Sequence, residues 1–218
     1  MADGGKDGSG VRGKSYVIVH NVSKRANVGT LARSCTAFGV EELLIVGSSK
    51  NFNTFGSHGS CDFVKFRHFY TLEDCVAWLR GRGTRVLGIE ICDGAHNVAS
   101  HPFHGDTAFL LGNEGDGLSA KQMALCDGFV YIAQHGEGTA SLNVTVAGSI
   151  VLHHFATWAR FPEREREGFK FVVGDRPPRT TKRGVVPPTE EELAEIRARR
   201  AGASAQDDGE TFGGDLFD

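Results

Sequence analysis

Cysteine is scarce and unpatterned: five residues (Cys35, Cys61, Cys75, Cys92 and Cys126), odd in number, with no Cys-x-x-Cys pair. That argues against a zinc site and against a disulfide framework, leaving free thiols in a reducing compartment and no metal to expect. Long apolar runs are missing, and nothing approaches the ~20 residues a bilayer-spanning helix needs. The first residues, Met-Ala-Asp-Gly-Gly-Lys-Asp-Gly-Ser-Gly, carry neither an apolar signal core nor an Arg-rich transit pattern. Residues 1–14 are therefore expected as a disordered leader on a cytoplasmic protein. A dinucleotide fingerprint is absent too. The glycines at 112, 115 and 117 run Gly-x-x-Gly-x-Gly, not Gly-x-Gly-x-x-Gly, which disfavours a nucleotide-dependent oxidoreductase.

Excess positive charge is also lacking, with 24 Lys and Arg against 27 Asp and Glu for a net −3. The distribution is more informative than the sum. Residues 1–161 hold 14 acids and 14 bases, whereas residues 162–218 hold 13 acids and 10 bases. A neutral core can still present a local basic surface, and Lys24, Arg25, Arg33, Lys50, Lys65 and Arg67 form a candidate patch.

What is present reads as alternating strands and helices. Residues 16–20, 43–46, 63–69, 86–91, 107–111 and 129–132 are compact apolar runs expected as strands, the last closing the series. Residues 27–38 have helical spacing, with Val28, Leu31, Cys35 and Phe38 on one face and Gly39 as terminator. Arg33 lies about 140° from Val28 on that wheel, free to reach a ligand. Thr71 opens a helix up to Arg80, Ser119 with Gln122 forms a capping box for a short helix to Cys126, and residues 143–161 make a long closing helix. Residues 48–60 are a polar Gly/Ser/Asn loop, too long for a tight connection. This pattern predicts an α/β fold with a mostly parallel sheet covered by helices on both faces. After Pro162 the composition changes to alternating charge and paired prolines, so residues 15–161 are expected as the domain and 162–218 as an appended charged tail. A capped helix is expected over 189–201.

Three short stretches at strand-to-helix hand-overs hold polar residues that such junctions do not need. They are Asn-Val-Gly-Thr-Leu-Ala-Arg over 27–33, Leu-Gly-Asn-Glu-Gly-Asp-Gly-Leu-Ser over 111–119, and Ser-Leu-Asn-Val-Thr-Val-Ala over 141–147. Taken singly, Asn27, Ser141 and Asn143 read as helix caps and Arg33 as a solvated helix residue. A Gly-rich loop after a buried strand nonetheless implies close backbone approach to a ligand or another segment.

In this order and spacing, the three strings resemble the motifs of the SpoU (TrmH-like) branch of the SPOUT superfamily of RNA methyltransferases, over roughly residues 15–160. The first motif is matched by Asn27, Arg33 and Phe38-Gly39, the second by the apolar strand running into Gly112-Asn113-Glu114-Gly115-Asp116-Gly117-Leu118-Ser119. The third is matched with Thr145 in place of Ser. The resemblance implies a C-terminal deep trefoil knot (the α/β-knot) and S-adenosylmethionine as cofactor, with Gly112, Ile132, Ser141 and Leu142 in donor contact. It implies a catalytic set of Arg33, Asn27, Glu114, Ser141 and Asn143, transferring methyl to a ribose 2′-hydroxyl of structured RNA, tRNA favoured over rRNA. It also implies a homodimer, for which Val144, Ala147, Val151, Phe155 and Trp158 of the closing helix offer an apolar face. Two departures stand out: Ile132-Ala133 replaces the family's common Ile-Pro, and the loop from Ile132 to Leu142 is about one residue longer than in bacterial tRNA-modifying relatives. The alternative from another class is an RNA-binding or scaffold protein that keeps the fold without activity.

Overall fold

In the strand Ser15–His20 (β1), Val17 and Val19 face one way and Tyr16 and Ile18 the other, and all four are buried. A strand buried on both faces belongs in the middle of a sheet with a layer on each side. The computed structural model, which describes residues 10, 12–20, 25–47, 62–113, 115–177, 185–186, 189–192, 194–195 and 197–198, shows that arrangement. Strands follow at Glu42–Val46 (β2), Lys65–Phe69 (β3), Arg85–Ile89 (β4), His96–Asn97 (β5), Thr107–Leu111 (β6) and Gly128–Tyr131 (β7). A small hairpin, Arg166–Glu167 (β8) with Lys170–Phe171 (β9), precedes Val185–Val186 (β10). The described residues form one parallel sheet in the order β10-β3-β2-β1-β6-β4-β7-β5.

The helices Arg25–Ala37 (α1) and Val144–Trp158 (α4) cover one face of the sheet; Leu72–Arg80 (α2) and the single turn Ala120–Met123 (α3) serve the other. Local chemistry sets these boundaries. Thr71 accepts from the Asp74 backbone N–H at 3.1 Å and opens α2. Ser119 and Gln122 make a complete capping box on α3. Asn143 caps α4, its Oδ1 accepting from the Thr145 N–H at 2.9 Å. On the α1–α4 side Phe155 is fully buried, with ring centroids 5.2 Å from Phe103, 5.7 Å from Phe109 and 5.3 Å from Trp158. Each such pair contributes about 0.5–1.5 kcal/mol beyond its area.

Several expectations change. The strand at 128–131 is not the last, and the segment after 162 is not wholly an appendage, because β10 extends the sheet edge beside β3. The two-residue β5 pairs with β7; it is too short to leave a periodic trace. Arg67 does not join a basic surface: its guanidinium makes a buried two-point ion pair with Glu42 (2.7 and 3.2 Å), and Lys65 pairs with Glu41 at 3.1 Å. Lys24, Lys50 and the Arg25 side chain lie outside the described residues, as do residues 1–9 and the 48–60 loop. The apolar face of α4 expected at a subunit interface is used within the chain: Val151 and Phe155 are core, and Val144 and Trp158 pack against it. Contacts divide the chain at 186/187. In the second unit, Thr189 and Glu192 exchange hydrogen bonds (2.9 and 3.2 Å), capping the helical residues 190–192, 194–195 and 197–198.

Candidate active site

In a parallel sheet the carboxyl ends of the strands leave a crevice where loops diverge. Here the ends of β4, β6 and β7 and the lead-in to α4 enclose a cleft of about 310 Å³. Gly112, Ile132, Ser141 and Leu142 all line it, so four positions singled out from the sequence meet at one place. The second motif shapes one wall. Asn113 and Gly117 exchange backbone hydrogen bonds at 2.9 and 3.1 Å, and the Asn113 side chain accepts from the Gly115 N–H at 2.9 Å. The turn is tight enough that a Cβ on Gly112 would stand 2.7 Å from the Gly117 carbonyl carbon. Gly117 itself sits at φ +68°, where a side chain is strained.

The opposite wall comes from the third motif. The Thr139 hydroxyl donates to the Ser141 carbonyl at 2.8 Å and accepts from its N–H at 3.3 Å, holding the exposed Ser141 at the rim. Leu142, Val144 and Ala147 complete an apolar lining with Ile89, Leu111 and Ile132. The charged residues among the described lining are Glu90 and Asp116, with no Lys, Arg or His. Such a lining suits a cationic or neutral ligand with a flat apolar body.

The first motif stands beside the third, across the α1–α4 seam. The Asn143 amide reaches Asn27 Oδ1 at 3.5 Å, and Thr145 Oγ1 donates to the Asn27 carbonyl at 3.4 Å. One turn on, the Ser34 and Ser149 hydroxyls meet at 2.7 Å, and Ser149 also donates to the Thr145 carbonyl. Gly148 permits this closeness, since a Cβ there would lie 3.1 Å from Leu31 Cδ1. Arg33 is exposed on α1 with Thr30 and Ala37, adjacent to this seam and outside the cleft lining. Among the described residues it has no ion-pair or hydrogen-bond partner, so its five donors stay available. Glu114 lies outside the described residues. The structure thus joins Asn27 to Asn143 and gathers the four cleft residues, while Arg33 touches neither group.

Sequence reasoning missed the contribution of β4: Ile89, Glu90 and Ile91 line the cleft, as do Tyr131 and Gln134 after β7. Their signal was position alone, at the carboxyl end of a central strand. Titratable groups nearby are shifted by burial. His20, at the end of β1 and 3.1 Å from the Gln122 amide, is held below its ordinary range by desolvation, partly offset by Glu73. Burial with Asp127 nearby pushes the Cys126 thiol up to about 12, and burial raises Cys35 and Cys75 further, so these sulfurs stay protonated.

Comparison with known proteins agrees with this architecture. A tRNA (guanosine(18)-2′-O)-methyltransferase of Thermus thermophilus is 31% identical over 163 residues, 74% of this chain and 79% of that protein. The enzyme of the same name from Escherichia coli K12 is 31% identical over 139 residues, 63% of this chain; the match spans 60% of that relative's length. The 23S rRNA (guanosine(2553)-2′-O)-methyltransferase RlmP of Bacillus subtilis is 28% identical over 148 residues, 65% of this chain and 57% of that protein. Among solved structures, the SpoU methyltransferase AviRb of Streptomyces viridochromogenes superposes with a TM-score of 0.61 at 24% identity, covering 67% of this chain and 60% of that one. The A. aeolicus TrmH/SpoU tRNA modifying enzyme gives 0.59 at 20% identity, covering 89% of each chain. The profile of the SpoU rRNA methylase family matches residues 14–153, and the chain belongs to that family.

Proposed function

We propose that this protein transfers a methyl group from S-adenosylmethionine to a ribose 2′-hydroxyl of a structured RNA. The observation that carries the reading is the cleft built by the second and third motifs, whose described lining is acidic, apolar and neutral polar. When bound there, the donor supplies an activated methyl on a cationic sulfur. Gly112, Ile132, Ser141 and Leu142 would hold it, with the bare backbone at Gly112 allowing close approach. Asn143 and Asn27 fix the entry of α4 against α1, and so the rim over which the ribose would be placed. Arg33 keeps its proton and serves as a cation: it would bind the phosphate beside the target nucleotide and stabilise negative charge growing on the 2′-oxygen as the hydroxyl proton passes to water and S-adenosylhomocysteine leaves. Glu114 belongs to the same proposed set, as holder of the second-motif loop. The deep trefoil knot is part of this reading, and the family match over residues 14–153 supports it. The proposed catalytic domain spans 15–161, and the charged segment 162–218 follows it, adding β10 to the edge of the sheet.

The 31%-identical relatives are named for tRNA, which favours tRNA over rRNA as substrate. A homodimer belongs to the proposal, through surface such as Val146, 47% exposed in the first turn of α4. No described helix is long and apolar enough to cross a membrane; an RNA substrate and free thiols fit a cytoplasmic setting. The test is incorporation of labelled methyl from S-adenosylmethionine into bulk tRNA and, separately, rRNA, with donor binding measured by calorimetry. Incorporation into tRNA supports the reading. Binding of the donor with no incorporation into either RNA counts against it, and absence of binding would leave a non-catalytic RNA-binding protein.

A further inference from the structure

One cleft-lining group is used by none of the three motifs. Glu90 follows β4 directly, and its own N–H donates to the Val130 carbonyl at 3.1 Å, fixing its backbone against β7. Its carboxylate is shared between two walls. One oxygen accepts from the Ile91 N–H at 3.1 Å; the other accepts from the Leu118 N–H at 2.8 Å, across the cleft edge in the second-motif turn. Gly117 lies directly against that second oxygen, where any Cβ would collide with it. Leu118 is buried, and its side chain packs where a Cβ on Gly88 would stand, 2.8 Å away. Strand β4 thus grips the turn twice, by a carboxylate clasp at Glu90 and by apolar packing at Gly88.

We infer that Glu90 is a positioning residue that fixes the Gly115–Leu118 wall of the cleft and thereby sets affinity for the methyl donor. The inference rests on the reading of the cleft as a donor site. The geometry calls for a carboxyl group rather than an amide at Glu90. Two backbone N–H groups converge on it, and a carboxylate offers an acceptor oxygen to each, whereas an amide offers an oxygen to one and a donor to the other. Without the clasp, the Leu118 N–H loses its acceptor and the turn is held by its internal hydrogen bonds and by Leu118 alone. The donor then meets a wall that must be ordered on binding, which weakens affinity without touching Arg33 or the α1–α4 seam.

The test compares full-length wild type, Glu90→Gln and Glu90→Ala for binding of S-adenosylhomocysteine by calorimetry, and for steady-state methyl transfer, with thermal melting as a control. The expected result is graded: Kd and the donor KM rise about tenfold or more in Glu90→Ala and by a smaller factor in Glu90→Gln. kcat at saturating donor and the KM for RNA stay within about twofold, because no transition-state contact is lost. Gly117→Ala, which pushes on the same carboxylate, should weaken donor binding too, and adding Glu90→Ala to it should cost less than the sum of the two. Wild-type affinity in Glu90→Ala overturns the inference, as does a fall in kcat with the donor KM unchanged. If wild-type protein itself does not bind S-adenosylhomocysteine, the donor-site reading fails instead. A general drop in melting temperature with uniform loss of all parameters would assign Glu90 to stability alone.

Discussion

The two faces of the sheet are sealed in different ways. On the α2 side, buried Leu72, Cys75, Val76 and Leu79 meet Tyr16, Ile18 and Leu44, and the guanidinium groups of Arg67 and Arg82 lie over the Trp78 ring, 4.6 and 3.9 Å from its centre. Among the polar groups there, Thr71 caps α2 and Arg67 is paired with Glu42. On the α1–α4 side the core is as apolar beneath, yet its upper seam is polar: Asn27 against Asn143, Thr145 against the Asn27 carbonyl, and Ser34 against Ser149. Under the proposed function, the α1–α4 seam would carry the placement of the ribose, whereas the α2 layer would carry mainly stability.

That contrast can be tested at several points. Arg33→Ala, on the exposed edge of the first face, should cut methyl transfer by about 10²–10³ while melting temperature and S-adenosylhomocysteine affinity stay at wild-type values. Leu79→Ala, in the opposite layer, should do the reverse: stability falls by about 2–5 kcal/mol in denaturant unfolding, with kcat per folded molecule preserved. Asn143→Ala should register on both scales. It removes the α4 cap, at about 1 kcal/mol, and lowers turnover by about 10–10² through a misplaced rim. Thr71→Ala removes the equivalent cap from α2 and should lose about 1 kcal/mol without any kinetic effect.

The smallest expected effect is pH dependence. His154, packed against His101 at 3.1 Å between ring nitrogens, is held below its ordinary range by burial first and then by the charges of His101 and His153. His20 is shifted the same way. A depressed histidine stays neutral in the folded chain while the unfolded chain takes up its proton. Stability is therefore complete above about pH 6.5 and declines as pH falls toward the folded values. Denaturant midpoints at pH 8 and pH 5.5 should show the decline, and His154→Gln should flatten part of it.

Much of the fold was legible because its signals are local. The apolar runs that became β1, β2 and β6, the cap at Thr71 and the box at Ser119 and Gln122 each sit within a few residues of what they determine. The convergence of Gly112, Ile132, Ser141 and Leu142 was reachable through motif resemblance, not through periodicity. What escaped was set by partners distant in sequence. Glu90 lay unremarked inside the apolar run 86–91, because its clasp on Leu118 spans 28 residues. Arg67 looked like surface charge because Glu42 lies on the neighbouring strand. The closing helix advertised an apolar face without revealing that Phe103 and Phe109 would fill it.

The chemical position of the transferred methyl decides most directly whether this chain is a ribose methyltransferase. Wild-type protein would be given labelled S-adenosylmethionine and tRNA, and the digested product resolved into nucleosides by mass spectrometry. The predicted result is label in a 2′-O-methylated nucleoside. Label confined to a base, or none despite a bound donor, would contradict it.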